Sequence, residues 1–165
     1  MRRLAIVVLS LGLLGCSVAY SAPGQGEMAL YPTAPELLPQ ELEIVRLVNE
    51  YRVGNGLKVL SVSLQLSRAA RKHAAAMAGR GEMAHIMDGK GPGARAREEG
   101  FTRTVGENVG AGTPGAPADF IDLWVDSPEH RANMLRVEWG EIGVGFAHAE
   151  EQGEDYWVAL FGALP

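Results

Sequence analysis

The sequence predicts an α+β domain built in layers, with helices first and an antiparallel β-hairpin last. Three observations carry this. Apolar residues before about position 80 recur at helical spacing. Near the C-terminus the period changes to two, with Ile142, Val144 and Phe146 alternating with Gly143, Gly145 and Ala147. The chain has 165 residues, 47% hydrophobic and 21% charged, which suits one domain with one sizeable core.

The first helix is expected from about Gln40 to Arg52, where Ile44, Val45, Leu47, Val48 and Tyr51 make a broad stripe. Gly54-Asn55-Gly56 ends it, and Leu57 to Val62 is an extended link. A second helix spans about Ser63 to Gly79. Leu66, Ala70, His73, Ala74 and Met77 share one face of it, and its alanines allow a neighbour to come close. His73 therefore reads as a hydrogen-bonded core histidine. Gly79-Arg80-Gly81 stops the helix, and His85 enters a loop. Arg95 to Gly100 suggests a short helix. Thr104 to Val109 reads as a short strand or extended turn, with Glu107 and Asn108 framed by Gly106 and Gly110. Such polar residues in a turn ordinarily bond their own backbone. From Pro117 or Ala118 to Asp126 a helix should bury Phe120, Ile121, Leu123 and Trp124. Ser127-Pro128 then opens another helix, the serine hydroxyl capping it and proline taking the first turn. His130 falls in that first turn, where the helix dipole disfavours added positive charge. Two strands around a polar turn, Glu150 to Asp155, close the chain, with His148 near the turn and solvated.

Residues 1–15 read as an export leader: Arg2 and Arg3 precede an apolar run, Leu4 to Leu14, too short to span a bilayer as a mature helix. The run ends in Leu13-Leu14-Gly15-Cys16, which resembles the lipobox of bacterial lipoproteins. That resemblance implies cleavage before Cys16 and a lipid on its sulfur. Cleavage after Ala19 or Ser21 is the competing reading. Cys16 is the single cysteine, so an internal disulfide is excluded. Residues 16–39, with Pro23, Gly24, Gly26, Pro32, Pro35 and Pro39, read as an extended tether, leaving 40–165 as the folded domain. Net charge is −5; two of the 15 basic residues lie in the leader and none of the 20 acids, so the remainder carries −7. No basic footprint for nucleic acid is present.

Several of these pieces together resemble the CAP superfamily, which takes its name from cysteine-rich secretory proteins, antigen five and plant pathogenesis-related proteins. The match is closest to its short bacterial branch of exported proteins and lipoproteins. The carrying residues are Val48 to Arg52, Leu66 to Ala70, His73-Ala74 to Met77, Met83-Ala84-His85, Arg95 and Gly100-Phe101. Gly106-Glu107-Asn108-Val109, Trp124, Ser127 to Leu135, Ile142 to Gly145 and Tyr156 to Gly162 follow in order. The resemblance implies a three-layer α-β-α sandwich with a cleft holding two histidines and two acids. His85 resembles the first histidine, Glu107 the first acid and His130 the second histidine. The second acid is replaced: Ser127 stands three residues after Trp124, where fuller relatives carry glutamate. Glu129, Asp126 and Asp122 are the nearby acids that could substitute in space.

Three functions are compatible with this reading. The first is a lipid-anchored, non-enzymatic binding module of the cell envelope, exposed to the periplasm or the cell exterior. Its ligand would be a lipid, peptide or envelope glycan held in the His85/Glu107/Ser127/His130 cleft. The second is a metal-dependent hydrolase, with zinc on His85 and His130 and with Glu107 as a third ligand or as general base. A Ser127 nucleophile with His130 as base is its weaker variant. The third is a structural envelope protein. The missing acid argues against hydrolysis.

Overall fold

The computed structural model describes residues 37–165. The leader, Cys16 and all but the last three residues of the tether lie outside the described residues. Nine elements follow in order: α1 (Pro39–Gly54), β1 (Ser61–Val62), α2 (Leu64–Arg80), α3 (Pro92–Glu98), β2 (Val105–Gly112), α4 (Pro117–Asp126), α5 (Pro128–Met134), β3 (Trp139–Ala149) and β4 (Glu154–Ala163).

The strands form one sheet in the order β1-β3-β4-β2. β3 and β4 are the expected hairpin, paired antiparallel from Trp139↔Ala163 to Ala149↔Glu154. The Glu107-Asn108 stretch is a true strand, antiparallel to β4, with Glu107 opposite Leu160. The link before α2 supplies β1, which runs parallel to β3. Both faces of the sheet are covered. Trp157, Ala159 and Phe161 of β4 join Ile44, Val45, Val48, Phe120, Trp124 and Met134 in one core. Tyr156, Val158 and Leu160 join Leu66, Ala70, Ala74, Met77 and Phe101 in the other. Strict alternation on a central strand thus feeds two cores, which makes an α+β, three-layer sandwich with α1, α4 and α5 on one face and α2 and α3 on the other.

Gly143 and Gly145 on β3 let α2 lie directly on the sheet. A Cβ on Gly143 would overlap the Ser67 nitrogen and Leu66 carbonyl carbon, and one on Gly145 would overlap Arg71 N and Ala70 C. The alanines on the inner face of α2 complete this contact. Ser63 caps α2, its hydroxyl accepting the Leu66 N–H at 3.4 Å, and Gly81 ends it in the left-handed region at φ 62°. Buried polar side chains pin the other layer. Arg52 donates to the Met134, Arg136 and Lys58 carbonyls, and Asn49 exchanges two hydrogen bonds with the Leu60 backbone.

Three expectations are corrected. Leu123 is 59% exposed, because it faces outward while Phe120, Ile121 and Trp124 take the inner stripe. Leu37 is buried in the core and Pro39 opens α1, one residue ahead of the expected Gln40. The short helix starts at Pro92 rather than Arg95, since Pro at the first helical position needs no N–H partner.

Candidate functional site

α2 ends at Gly81, and the loop between α2 and α3 brings His85 against Glu107 near the start of β2. His85 Nδ1 lies 2.9 Å from Glu107 Oε1. The carboxylate only accepts, so Nδ1 carries the proton and Nε2 is the free nitrogen of the neutral ring. Arg95 of α3 donates from one Nη to Glu107 Oε2 at 2.6 Å and to the His85 carbonyl at 3.1 Å, and from the other to the Lys90 carbonyl at 2.6 Å. The Glu107 side chain is 1% exposed and that of His85 53% exposed. A buried carboxylate thus holds an accessible imidazole in one tautomer, and the guanidinium beside it balances the buried charge. The hydrogen bond to Glu107 raises the His85 pKa above the usual histidine value, outweighing burial.

His73 on α2 supports the loop from below. Only 2% exposed, it donates from Nε2 to the Ala84 carbonyl at 2.7 Å, one residue before His85. It is the hydrogen-bonded core histidine that its helical position implies. Burial lowers its pKa, and Arg95 acts in the same sense. An imidazole with a depressed folded pKa contributes stability that is full above the unfolded value near 6.5 and is lost as pH falls through the folded value. His73 should therefore lower stability to urea at about pH 5.5 relative to about pH 7.5, against the opposite contribution of His85, whose pKa is raised. His73→Gln, which keeps a donor toward Ala84, should remove the His73 contribution. An unchanged difference between the two pH values would place the acid sensitivity elsewhere.

His130 lies in the first turn of α5, half-buried. Its pKa is lowered by burial first and by His85 second, so the direction matches the helix-dipole expectation while the main cause is desolvation. Its carbonyl accepts from Asn108 Nδ2 at 3.1 Å, and Asn108 Oδ1 accepts from Asn133 Nδ2 at 2.9 Å. Asn108 therefore reaches out to α5 rather than bonding its own turn. Close approach of α5 and α4 to β2 depends on the flanking glycines. A Cβ on Gly106 would meet Asn133 and Trp139, and one on Gly110 would meet Phe120 at 3.2 Å.

His85, Glu107 and His130 are thus brought to one region, and His130 senses the charge of His85. Ser127 lies three residues before His130, between the two helices. It joins α4 to α5, but its hydroxyl makes no capping bond, which corrects the expected cap. Its carbonyl does accept the Arg131 N–H, so the backbone supplies the first helical bond. Of the acids considered as substitutes, Glu129 is the one whose charge reaches both histidines. His148 is exposed as expected, with Nδ1 2.7 Å from Asp155 Oδ1.

The residues fit a divalent metal poorly. Each Glu107 oxygen is held by one partner, His85 or Arg95, and the side chain is 1% exposed, so Glu107 is poorly placed as a third ligand. Among the described residues, no group of three His, Cys, Asp or Glu side chains is placed to hold an ion. His85 Nε2 and His130 remain as two neutral donors, one short of an ordinary catalytic zinc site. The same engagement and burial leave Glu107 little access to a water as general base. Arg95 is the residue whose site role sequence reasoning missed. The available signal was an arginine beside inward-facing Ala96 in a seven-residue helix.

Comparison with known proteins agrees with this architecture. The family model described as the cysteine-rich secretory protein family matches residues 45–161. Uncharacterized protein YkwD of Bacillus subtilis (strain 168) is 31% identical over 111 residues, 66% of this chain and 43% of that protein. The chain thus spans less than half the length of that relative. An outer surface protein from Borrelia burgdorferi superposes with a TM-score of 0.69 at 20% identity, covering 77% of this chain and 95% of the other. An extracellular protein containing an SCP domain from Bacillus anthracis str. Ames gives 0.68 at 21% identity, covering 78% and 44%. With the family model matched across most of the folded body, the chain belongs to the cysteine-rich secretory protein (CAP) family.

Proposed function

We propose that the protein is a lipid-anchored module of the bacterial cell envelope that binds a ligand, without turning it over, in the cleft around His85, Glu107 and His130. The observation that carries the reading is the engagement and burial of Glu107. A hydrolase would need that carboxylate as base or ligand, and here it serves to orient His85 and to neutralise Arg95. What the cleft offers is an oriented, accessible imidazole beside a half-buried neutral one, suited to hydrogen-bond recognition. Met83 and Ile86, 52% and 68% exposed, flank His85 in sequence and offer apolar contact to the same ligand. A lipid, peptide or envelope glycan meets that description. The lipobox-like leader and the outer-surface and extracellular relatives support the location.

Mass spectrometry of protein purified from its own host tests the binding role. Wild type should retain a host molecule that His85→Ala loses. Chelator-sensitive hydrolysis of envelope peptides by the wild type would instead establish the enzyme reading. For the anchor, Cys16→Ala should move the protein from the membrane fraction to the soluble one. Retention of that variant after a carbonate wash would refute lipidation. Calorimetry with zinc should give weak binding that either His85→Ala or His130→Ala largely removes. Zinc binding by the double variant equal to wild type would place any metal outside the cleft.

A further inference from the structure

β2 is an edge of the sheet, with β4 as its one partner strand. The ladder decides which of its backbone groups are spent on that partner. The Ala163 N–H donates to the Thr104 carbonyl at 2.9 Å, so hydrogen-bonded pairs start at Thr104 and recur at every second residue. Gly106, Asn108, Gly110 and Gly112 therefore bond to β4, while Val105, Glu107, Val109 and Ala111 turn their N–H and C=O groups outward. The Val109 carbonyl is taken by the Trp124 indole, and Val109 is buried. At Val105 and Glu107 the outward groups have no partner among the described residues. Solvent reaches them. Val105 is half-buried, and Glu107 is 9% exposed as a residue but 1% exposed in its side chain, so its accessible part is main chain.

This open stretch is the floor of the cleft. Side chains alternate across β2, so Glu107 and Asn108 point to opposite faces. Glu107 holds His85 on one face, and Asn108 holds the His130 carbonyl on the other. Sheet edges are ordinarily blunted by lysine, proline, a bulge or brevity. β2 is eight residues long with no lysine or proline, and its register with β4 runs without a shift. One end also carries a charge. A Cβ on Gly93 would lie 3.5 Å from an Arg97 Nη and 4.0 Å from Val105 Cγ2, which sets the Arg97 guanidinium beside Val105. Arg97 is exposed and has no ion-pair partner among the described residues.

We propose that the outer edge of β2 at Val105 and Glu107 pairs, as a strand, with an extended peptide that carries a carboxylate over Arg97. Outward N–H and C=O groups two residues apart repeat at about 7 Å, which is the repeat of a neighbouring strand. A lipid chain lacks such groups, and a glycan lacks their fixed alternation. The inference rests on the binding role proposed for the cleft and narrows its ligand to peptide.

The probe is the acetylated and amidated peptide Thr-Val-Glu-Val-Thr, titrated into the full chain in detergent and followed by amide NMR and hydrogen exchange. The Val105 and Glu107 amides should shift saturably, in about the millimolar range, and should exchange more slowly. A strand offers only one of its edges to β2. N-methylating one alternate set of peptide residues should therefore weaken binding about tenfold or more, and methylating the other set should leave it unchanged. Lysine in place of the peptide's glutamate, or Arg97→Ala in the protein, should weaken binding about two- to fivefold. Val105→Pro, tolerable where the N–H faces outward, should remove binding from a protein whose remaining spectrum is intact. The absence of saturable shifts, or equal effects of the two methylated peptides, would overturn the strand pairing. If wild type then still retained a host molecule that His85→Ala loses, the binding role of the cleft would stand without it. Slowed exchange at these amides that needs no peptide and grows with protein concentration would assign the edge to a second copy of the chain, and would also overturn the proposal.

Discussion

Gly143→Ala should leave the chain unable to hold its native sandwich, with soluble yield collapsing and any recovered protein unfolding at far lower denaturant. The added methyl would overlap the backbone at Leu66 and Ser67, and a backbone cannot swing aside as a side chain can. Relief requires moving α2 off β3, which separates Leu66, Ala70 and Ala74 from the sheet. Overpacking in a core typically costs about 1–3 kcal/mol, and a clash with helix backbone lies at or above the top of that range. Against a total stability of about 5–15 kcal/mol, this is a severe loss. Gly112→Ala is the control on another strand of the sheet, since nothing lies within 4 Å of a Cβ there. Equilibrium urea unfolding of both variants checks the argument. A Gly143→Ala protein as stable as Gly112→Ala would mean that α2 does not lie against β3 as described.

Trp124→Ala should be comparably damaging by the opposite route. The indole is 2% exposed in the core of the α1/α4/α5 layer, and its Nε1–H donates to the Val109 carbonyl at 3.0 Å. Truncation costs about 3–5 kcal/mol in lost packing and cavity. Losing the hydrogen bond to a buried strand adds about 1 kcal/mol. The thermal midpoint should fall by roughly 10 °C or more. Trp124→Phe should recover much of the packing and none of the hydrogen bond, separating the two contributions. A drop of only a degree or two in Trp124→Ala would mean that the ring is not part of the core.

The helices and the hairpin were legible because their cores impose simple periods. His73 could be placed indoors from its spacing to Leu66, Ala70 and Met77 alone. Other features had no local signature. β1 is two residues long, and its pairing with β3 depends on partners about 80 positions away. Gly143 and Gly145 looked like the small half of an alternating strand. Their reason is the helix above them, which the strand pattern does not encode. Leu123 misled because an apolar residue in an amphipathic helix is ordinarily placed inside, whereas this one sits on the outer face. In the site, Glu107 and the two histidines were drawn from a family pattern. The pattern left out how Arg95 occupies one Glu107 oxygen, and that contact decides what the carboxylate can do. The Ser127 cap failed for a local reason: the backbone passes directly from α4 into α5 and makes the first helical bond itself.

The placement of β4 governs when the fold can exist at all. Among the described elements β4 is made last, yet it lies between β3 and β2 and feeds alternate side chains into both cores. Until residues 154–163 are available, β2 has no strand to pair with and neither helical layer has a complete surface to settle on. A chain emerging from the ribosome therefore cannot complete either layer until β4 is made. That delay leaves the apolar faces of α1, α2 and α4 incompletely covered during synthesis, the interval in which a holding chaperone would matter most.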